Sequence, residues 1–188
     1  MRLFVALDIP EDVRKSLAAL VARLRVVCPE ARWVRMEGVH VTLKFIGETA
    51  ADRLSAIGAA LASLPPRAPI PIKFHGTGFF PNARRPRVLW TGVESGPELA
   101  ALADDVESVL AALGIPREER AFSPHLTLAR LDDPRGLDAL RAAIEQAGPM
   151  KFGSATAQNF HLYQSILKRG GAEYTRLATY SFTGRKPE

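Results

Sequence analysis

Residues 38–45 read GVHVTLKF and residues 123–130 read SPHLTLAR, so the chain carries one pattern of His, apolar residue, Thr and Leu twice. Only four histidines occur among the 188 residues, and His40 and His125 both stand in this shared frame. Each motif alternates polar with apolar residues, which is typical of a half-buried strand. The two stretches therefore predict two similar strands, each carrying a histidine at the same place.

Side chains two residues apart on a strand project from the same face. His40 and Thr42 should therefore point together, and so should His125 and Thr127, above apolar residues on the opposite face. If two lobes face each other, two imidazoles and two hydroxyls would line one cleft.

The same order of elements surrounds each motif: strand, helix, motif strand, helix, strand. The pattern predicts an α+β fold of two similar lobes related by a pseudo-two-fold axis, forming one bilobal domain over residues 1–188. Each lobe would be a small, mostly antiparallel sheet with helices on its outer face, and residues 184–188 would form a polar tail. Strands are predicted at residues 2–9, 39–47, 70–80, 87–93, 125–131, 157–167 and 173–182, and helices at 10–24, 54–64, 97–113 and 134–147.

The composition is that of a globular protein, with 47% apolar and 24% charged residues. A formal net charge of +5 favours polyanionic partners. Cys28 is the only cysteine, so an intramolecular disulfide and a cysteine metal cluster are excluded, which predicts a cytoplasmic protein. We expect no membrane segment, because no apolar run approaches the length of a span.

Two opposed histidines suit general acid–base catalysis. The imidazole pKa is about 6.5 in model compounds, so one ring can be neutral and the other protonated near neutral pH. The hydroxyls could donate hydrogen bonds to a phosphoryl oxygen as its negative charge grows. A strained cyclic phosphate is reactive enough to be opened in this way without a metal.

A metal site is the competing chemical interpretation, because histidine is a common ligand. Neither motif, however, has a carboxylate two residues on or a second histidine at ligand spacing. We therefore predict no metal and no cofactor.

Arg130 follows the second motif, and a guanidinium is a natural phosphate clamp. Strict alternation would place Arg130 on the face opposite His125, from which it could reach the cleft only through a bulge, a strand end or its own length. The first motif is followed instead by Lys44-Phe45-Ile46-Gly47. We therefore expect the similarity between the two segments to end directly after the four-residue motif.

The remaining candidates have a structural and a functional interpretation. His75 and His161 lack a threonine two residues on and are predicted to be structural. The arginines of the 81–87 loop could contact an RNA backbone or simply be solvated. The aromatic side chains could stack on bases or fill the core. The arginines are Arg84, Arg85 and Arg87, and the aromatic residues are Phe45, Phe79, Phe80, Trp90 and Phe122.

On these residues the chain resembles the 2H phosphoesterase superfamily. The segments MRLFVALDIP, HVTLKFIGE, RPRVLWTGV, FSPHLTLAR and FHLYQSIL…YTRLATYSF are similar to its RNA 2′,3′-cyclic phosphodiesterase branch, also called bacterial and archaeal 2′-5′ RNA ligase. The resemblance runs from Arg2 to Phe182 and departs from neither motif.

The resemblance implies hydrolysis of a terminal 2′,3′-cyclic phosphate on RNA to a 2′-phosphomonoester. By this likeness His40 would be the general acid and His125 the general base, while Thr42, Thr127 and Arg130 would hold the phosphate. It also implies a reversible, ATP-independent 2′-5′ ligation of RNA. The near-symmetric sequence does not itself assign the acid and the base.

Two rival functions stay open at this point. The chain could act on small cyclic nucleotides or 2′-5′ oligonucleotides, or it could bind RNA ends without catalysis. The expected partner is RNA with 2′,3′-cyclic phosphate ends, including tRNA fragments. We expect a monomer, because two lobes already supply a two-fold site.

Overall fold

The computed structural model describes residues 1–168 and 171–183, so the predicted tail at 184–188 lies outside the described residues. Nine strands and four α-helices occur in this part of the chain. They are β1 (Arg2–Leu7), α1 (Glu11–Val27), β2 (Arg32–Trp33), β3 (Val41–Glu48), α2 (Leu54–Ala62), β4 (Ile70–Phe80), β5 (Val88–Ser95), α3 (Pro97–Ala111), β6 (His125–Arg130), α4 (Leu137–Ala147), β7 (Lys151–Ala157), β8 (Asn159–Lys168) and β9 (Gly171–Ser181).

The strands form two antiparallel sheets. The first has the order β3-β1-β8-β9 and the second the order β2-β6-β5-β4-β7. Each sheet thus contains a motif strand paired with the strand that opens its half of the chain. The prediction of an α+β fold with two similar antiparallel lobes is confirmed.

The lobes are not successive halves of the chain. β4, from the first half, pairs with β5 in the second sheet, and β8, from the second half, pairs with β1 in the first sheet. This exchange of strands ties the sheets together, and the motif strands β3 and β6 also contact each other.

One large core stabilises both sheets. It joins Leu3, Val5 and Leu7 of β1 to buried residues of all four helices, such as Leu17 of α1 and Leu102 of α3. The opposite face of β1 carries Phe4 and Ala6, which pack separately with Tyr163. Because the helices cover the core faces, the other face of the first sheet is left for a site.

Two strands were missed in the sequence. β7 reads KFGSATA, whose small and polar residues give a weak strand signal, and it pairs with β4 at the edge of its sheet. β2 has only two residues and pairs with β6. The other predicted strands and helices are present, with ends that shift by a few residues.

Candidate active site

His40 lies directly before β3, within a cluster of aromatic rings. Its imidazole stacks on Phe4 at 4.9 Å between ring centroids, and the edge of Tyr174 meets it at 4.9 Å. Tyr163 lies nearly parallel to it at 5.4 Å. Burial among these rings disfavours the charged imidazolium and lowers the pKa of His40 to about 4, although the nearby Asp8 carboxylate opposes this effect.

Strand pairing places Thr42 on the face of the sheet that carries Phe4. Thr42 lies opposite Ala6 of β1, and Ala6 and Phe4 are two residues apart on one face. The first motif therefore presents its imidazole and hydroxyl over the aromatic cluster, as the alternation predicts.

A β-bulge then changes the alternation in β3. Ala6 pairs with Thr42 but Val5 pairs with Lys44, so Leu43 is an extra residue. Lys44 consequently turns into the core and Phe45, opposite Phe4, faces the site. Phe45 is 64% exposed there, which leaves its ring available to a ligand.

Lys44 is fixed on the core side of the bulge. Its side chain is buried, and its ammonium lies 2.8 Å from the Glu107 carboxylate and donates to the carbonyl of Pro116 at 2.6 Å. A buried charge needs partners of this kind. The ion pair therefore fixes the bulge against α3.

His125 is the first residue of β6. Its Nδ1–H donates to the carbonyl of Ser123 at 2.7 Å, and the edge of Phe80 packs against the ring at 4.9 Å. With the proton held on Nδ1, the neutral ring presents an unprotonated Nε2. This tautomer is the one that can accept a proton from a nucleophile.

A second bulge brings Arg130 to the face of His125 and Thr127. Trp90 pairs with Thr127 but Leu89 pairs with Ala129, so Leu128 is the extra residue. Val88 pairs with Arg130 and shares a face with Trp90. Strict alternation fails at this bulge, and a bulge is one of the routes by which Arg130 was expected to be able to reach the cleft.

The likeness between the motifs continues beyond their fourth residue. Each copy has a bulge at its fourth residue, and five residues after each histidine a side chain lies on the site face. That residue is Phe45 in the first copy and Arg130 in the second. The expectation that the symmetry ends at the motif is wrong for the backbone, although the two side chains differ.

The other two histidines have separate partners. His161 is buried, its Nδ1 lies 2.9 Å from the Thr179 hydroxyl and its Nε2 lies 3.5 Å from the Asp8 carboxylate. His75 is exposed, and its Nε2 lies 2.7 Å from the Glu94 carboxylate. Their structural role stays a prediction.

A polar network on the site face was missed in the sequence. Asp8, directly after β1, accepts a hydrogen bond from the Tyr163 hydroxyl and forms an ion pair with Arg176 of β9. Burial, reinforced by Asp8, raises the pKa of Tyr163 to about 12. Asp8 stands beside a predicted strand, but only the pairing of β1 with β8 and of β8 with β9 brings the three residues together.

The predicted arginine loop is a surface hairpin between β4 and β5. This hairpin carries Arg84, Arg85 and Arg87, and all three are exposed. The side chain of Asn82 accepts backbone hydrogen bonds from Arg84 and Arg85 at 3.0 and 3.1 Å. The turn itself is therefore well formed, and an RNA contact by these arginines stays a prediction.

A cavity of about 510 Å³ opens beside His125. Trp90, which lines this cavity, is paired with Gly78 of β4 on one side and with Thr127 of β6 on the other. A Cβ at Gly78 would come within 2.2 Å of the Trp90 ring, so glycine lets the indole lie flat against β4. The walls include His75, Phe80, Trp90, Glu94 and Phe122.

In residues 1–168 and 171–183, no group of three or more His, Cys, Asp or Glu side chains is arranged to hold a metal ion. No helix in the same part of the chain is long and apolar enough to cross a membrane.

Comparison with known families accounts for both motifs. The sequence profile of LigT-like phosphoesterases matches residues 7–90 and again residues 92–174, so that each match contains one His-x-Thr motif. The chain belongs to the LigT-like phosphoesterase family. The prediction of a phosphoesterase enzyme related to the 2H superfamily is thereby confirmed.

Relatives in this family include proteins named RNA 2′,3′-cyclic phosphodiesterase. One from Aeropyrum pernix is 40% identical over 145 residues, covering 77% of this chain and 82% of the relative. One from Archaeoglobus fulgidus is 35% identical over 182 residues, covering 96% of this chain and 99% of the relative.

Two solved structures share the whole fold of this chain. A protein of Thermus thermophilus superposes with a TM-score of 0.79 at 32% identity, covering 99% of this chain and 100% of its own. LigT of Escherichia coli, solved with 3′-AMP, superposes with a TM-score of 0.76 at 28% identity, covering 96% of this chain and 97% of its own. The two-lobed architecture is therefore common to these proteins.

Proposed function

We propose that this chain hydrolyses the 2′,3′-cyclic phosphate at an RNA end to a 2′-phosphomonoester, by general acid–base catalysis with His40 and His125. The observation that carries the proposal is the matched pair of bulges. They add Phe45 to the face of His40 and Thr42, and Arg130 to the face of His125 and Thr127. Relatives named for this activity cover nearly the whole chain.

The reaction is an in-line displacement at phosphorus. A water oxygen attacks the phosphorus and gives its proton to Nε2 of His125, while the bond from phosphorus to O3′ breaks. His40 gives a proton to the departing O3′, and the phosphate remains on O2′. The hydrogen bond from Nδ1 of His125 to Ser123 supports the role of His125 as the base, because it leaves Nε2 free to accept.

His40 needs a proton before it can act as an acid. With a pKa of about 4 the free protein holds this ring neutral at neutral pH. The bound phosphodiester is an anion, and a negative charge close to an imidazole raises its pKa. Substrate binding would therefore supply the charge that lets His40 take up its proton.

The other residues of the motif strands would bind the substrate. Thr42 and Thr127 would donate hydroxyl hydrogen bonds to the non-bridging phosphoryl oxygens. Arg130 forms no salt bridge within the described residues, so its guanidinium is available to the phosphate. The exposed ring of Phe45 would stack on the terminal base.

Hydrolysis at this site would not require a metal. The same site would also allow 2′-5′ ligation, in which a ribose hydroxyl replaces water as the nucleophile. A second candidate function is the hydrolysis of small cyclic nucleotides, which is favoured by the E. coli LigT structure because that protein was solved with the mononucleotide 3′-AMP. Binding of RNA ends without chemistry is the non-enzymatic alternative.

One assay tests these assignments together. The protein is given RNA with a 2′,3′-cyclic phosphate end, or the cyclic mononucleotide, each with and without EDTA, and the products are separated by chromatography. We expect a 2′-phosphate in all four reactions and a higher kcat/KM for RNA. A 3′-phosphate product would contradict O3′ as the leaving group, and loss of activity in EDTA would contradict the metal-free mechanism. A higher kcat/KM for the mononucleotide would favour the second function.

A further inference from the structure

The two motif histidines are held in different ways. His125 begins β6, and the hydrogen bond from its Nδ1 to the carbonyl of Ser123 orients its ring. His40 lies directly before β3, outside the paired residues of that strand. Within the part of the chain that the structure describes, the His40 ring forms no hydrogen bond with another residue. The orientation of the His40 ring therefore depends on packing.

Three aromatic rings supply that packing. Phe4 and Tyr163 lie nearly parallel to the imidazole of His40, at interplanar angles of 10° and 11°. Tyr174 stands across the imidazole at 86°. Stacked rings can slide over one another, whereas an edge-to-face neighbour blocks this movement. Tyr174 is therefore the ring that fixes the position of the imidazole within the stack.

Tyr174 can reach this position because residue 38 has no side chain. A Cβ on Gly38 would lie 2.6 Å from Cε2 and 3.0 Å from Cδ2 of Tyr174, closer than carbon atoms pack. Gly38 is not one of the glycines with a positive φ, so glycine is needed here for space and not for its backbone conformation. The segment before His40 thus leaves room for the tyrosine ring.

The ring of Tyr174, and not its hydroxyl, makes these contacts. Tyr174 lies on the site face of β9, and its ring also stands perpendicular to Phe4 at 5.2 Å. Its hydroxyl forms no hydrogen bond within residues 1–168 and 171–183. A phenylalanine at this position should therefore do the same work, which provides a conservative variant.

We propose that Tyr174, packed on Gly38, is a positioning residue that holds the imidazole of His40 towards the departing O3′. This inference rests on the proposed function, in which His40 is the general acid. A general acid must come within about 2.6–3.2 Å of the atom that it protonates. A small displacement of the His40 ring therefore slows the reaction, and Tyr174 would act through the histidine and not on the reacting atoms.

The first test follows the His40 ring by NMR. The chain has four histidines, and the ring signals of His40 are identified by their loss in His40→Ala. Asp8, itself paired with Arg176, raises the pKa of His40 and Arg14 lowers it, so these three residues are left unchanged. In Tyr174→Ala water reaches the ring, and we expect the pKa of His40 to rise from about 4 towards 6.5. Tyr174→Phe should keep the low value, and an unchanged pKa in Tyr174→Ala would overturn the inference.

The second test uses a substrate that needs no general acid. The parameters kcat and KM are measured on RNA with a normal cyclic phosphate and on RNA with sulfur in place of O3′, because a thiolate leaves without a proton. We expect Tyr174→Ala to lower kcat on the normal substrate by about 10–100-fold, the effect of a small displacement of a catalytic group. KM should change little, and the sulfur substrate should be hydrolysed at close to the wild-type rate. Tyr174→Phe should resemble wild type on both substrates.

Two results would contradict this role. An equal loss on both substrates would show that Tyr174 does not act through the general acid. A higher KM with an unchanged kcat would show that Tyr174 binds the substrate directly. Either result overturns the inference.

A matched variant on the same strand controls for a general loss of packing. Tyr180 also lies on β9, but it stacks on Phe160 at 4.9 Å and not on His40. Tyr180→Ala should therefore leave the ratio of the rates on the two substrates unchanged. The same change of ratio in Tyr180→Ala and Tyr174→Ala would overturn the inference.

Gly38 is tested by a double-mutant cycle. Gly38→Ala should reproduce the defect of Tyr174→Ala, because its Cβ displaces the tyrosine ring. In the double variant Gly38→Ala should add nothing, because the ring on which it acts is absent. Additive losses, or a wild-type rate for Gly38→Ala on the normal substrate, would contradict the contact as the origin of the effect.

Failure of the proposed function is recognised separately. If His40→Ala hydrolyses the normal substrate as fast as wild type, the proposed function is wrong, while the pKa of His40 in Tyr174→Ala still tests the packing. If His40→Ala recovers its rate on the sulfur substrate and Tyr174→Ala does not, this inference alone is overturned.

Discussion

Phe45 and Arg130 occupy equivalent positions in the two motif strands. Each follows its histidine by five residues, each comes after a one-residue bulge, and each faces the site. The backbone of the two strands is thus nearly symmetric, while the chemistry at this position is aromatic in one and cationic in the other. Under the proposed function, this difference would orient the substrate, with its base towards Phe45 and its phosphate towards Arg130.

Removal of the Phe45 ring should weaken substrate binding. Stacking of a base on an aromatic side chain contributes about 1–3 kcal/mol, so we expect Phe45→Ala to lower kcat/KM for cyclic-phosphate RNA by about 5–150-fold. Phe45→Tyr keeps a flat ring and should stay close to wild type. A substrate with an abasic terminal ribose should not distinguish the variants. Equal loss on that substrate would contradict stacking.

Arg130 should contribute to binding of the substrate phosphate through the charge and the forked geometry of its guanidinium. A hydrogen bond to a charged group contributes about 1.5–3 kcal/mol, which predicts a fall in kcat/KM of about 10–150-fold for Arg130→Ala. Arg130→Lys should recover only part of this loss, because an ammonium cannot bind a phosphate in the bidentate manner. Arg23→Ala, which removes an exposed arginine from α1, controls for net charge. A loss of the same size in Arg23→Ala would show that the effect is not local.

The low pKa of His40 predicts a pH-dependent stability. In the folded protein the pKa of His40 is about 4, whereas the pKa of a histidine in an unfolded chain is about 6.5. Between these values the unfolded chain binds more protons, so the free energy of unfolding should fall as the pH drops from 6.5 through 4. Over this window wild type should lose about 3 kcal/mol that His40→Phe does not lose, from 1.36 kcal/mol per pKa unit. Urea unfolding at several pH values measures the difference, and parallel curves would contradict the burial of a neutral His40.

Lys44 offers a test of the bulge in β3. Its ammonium is buried against Glu107, and removal of one partner of a buried pair costs about 3–5 kcal/mol. We therefore expect Lys44→Met to lower the free energy of unfolding by about that amount, and Lys44→Met with Glu107→Gln to recover much of it. A single variant as stable as wild type would contradict the pairing.

The sequence predicts those features that depend on the periodicity of apolar residues and on residues that end helices and strands. Two strands of equal pattern, each preceded and followed by a helix, are visible from alternation and helical spacing alone, and so is the shared face of His40 and Thr42. The bulges are not visible, because one extra residue, Leu43 or Leu128, looks like any other apolar residue in a strand. For this reason the sequence could name a bulge as one route by which Arg130 reaches the cleft but could not locate that bulge.

Long-range pairing is the other part that local signals do not contain. The sequence does not indicate that β4 joins the sheet of the second motif or that β8 joins the sheet of the first. The pairing of β8 brings Tyr163 to His40 and to Asp8, and the pairing of β4 brings Phe80 to His125. The residues around each histidine therefore come from strands that only the folded chain brings together.

The central claim is that His40 acts as the general acid and His125 as the general base. Replacing the leaving atom tests this assignment directly. Single-turnover hydrolysis is measured for wild type, His40→Ala and His125→Ala on RNA with a normal cyclic phosphate and on RNA with sulfur in place of O3′. A thiolate leaves without a proton, so the second substrate needs no general acid.

On the normal substrate we expect each variant to be slower by about 10²–10⁴-fold, the usual contribution of general acid–base catalysis. On the sulfur substrate His40→Ala should recover most of its rate, and His125→Ala should stay slow. Recovery by His125→Ala instead, or near-wild-type hydrolysis by either variant on the normal substrate, would contradict the account.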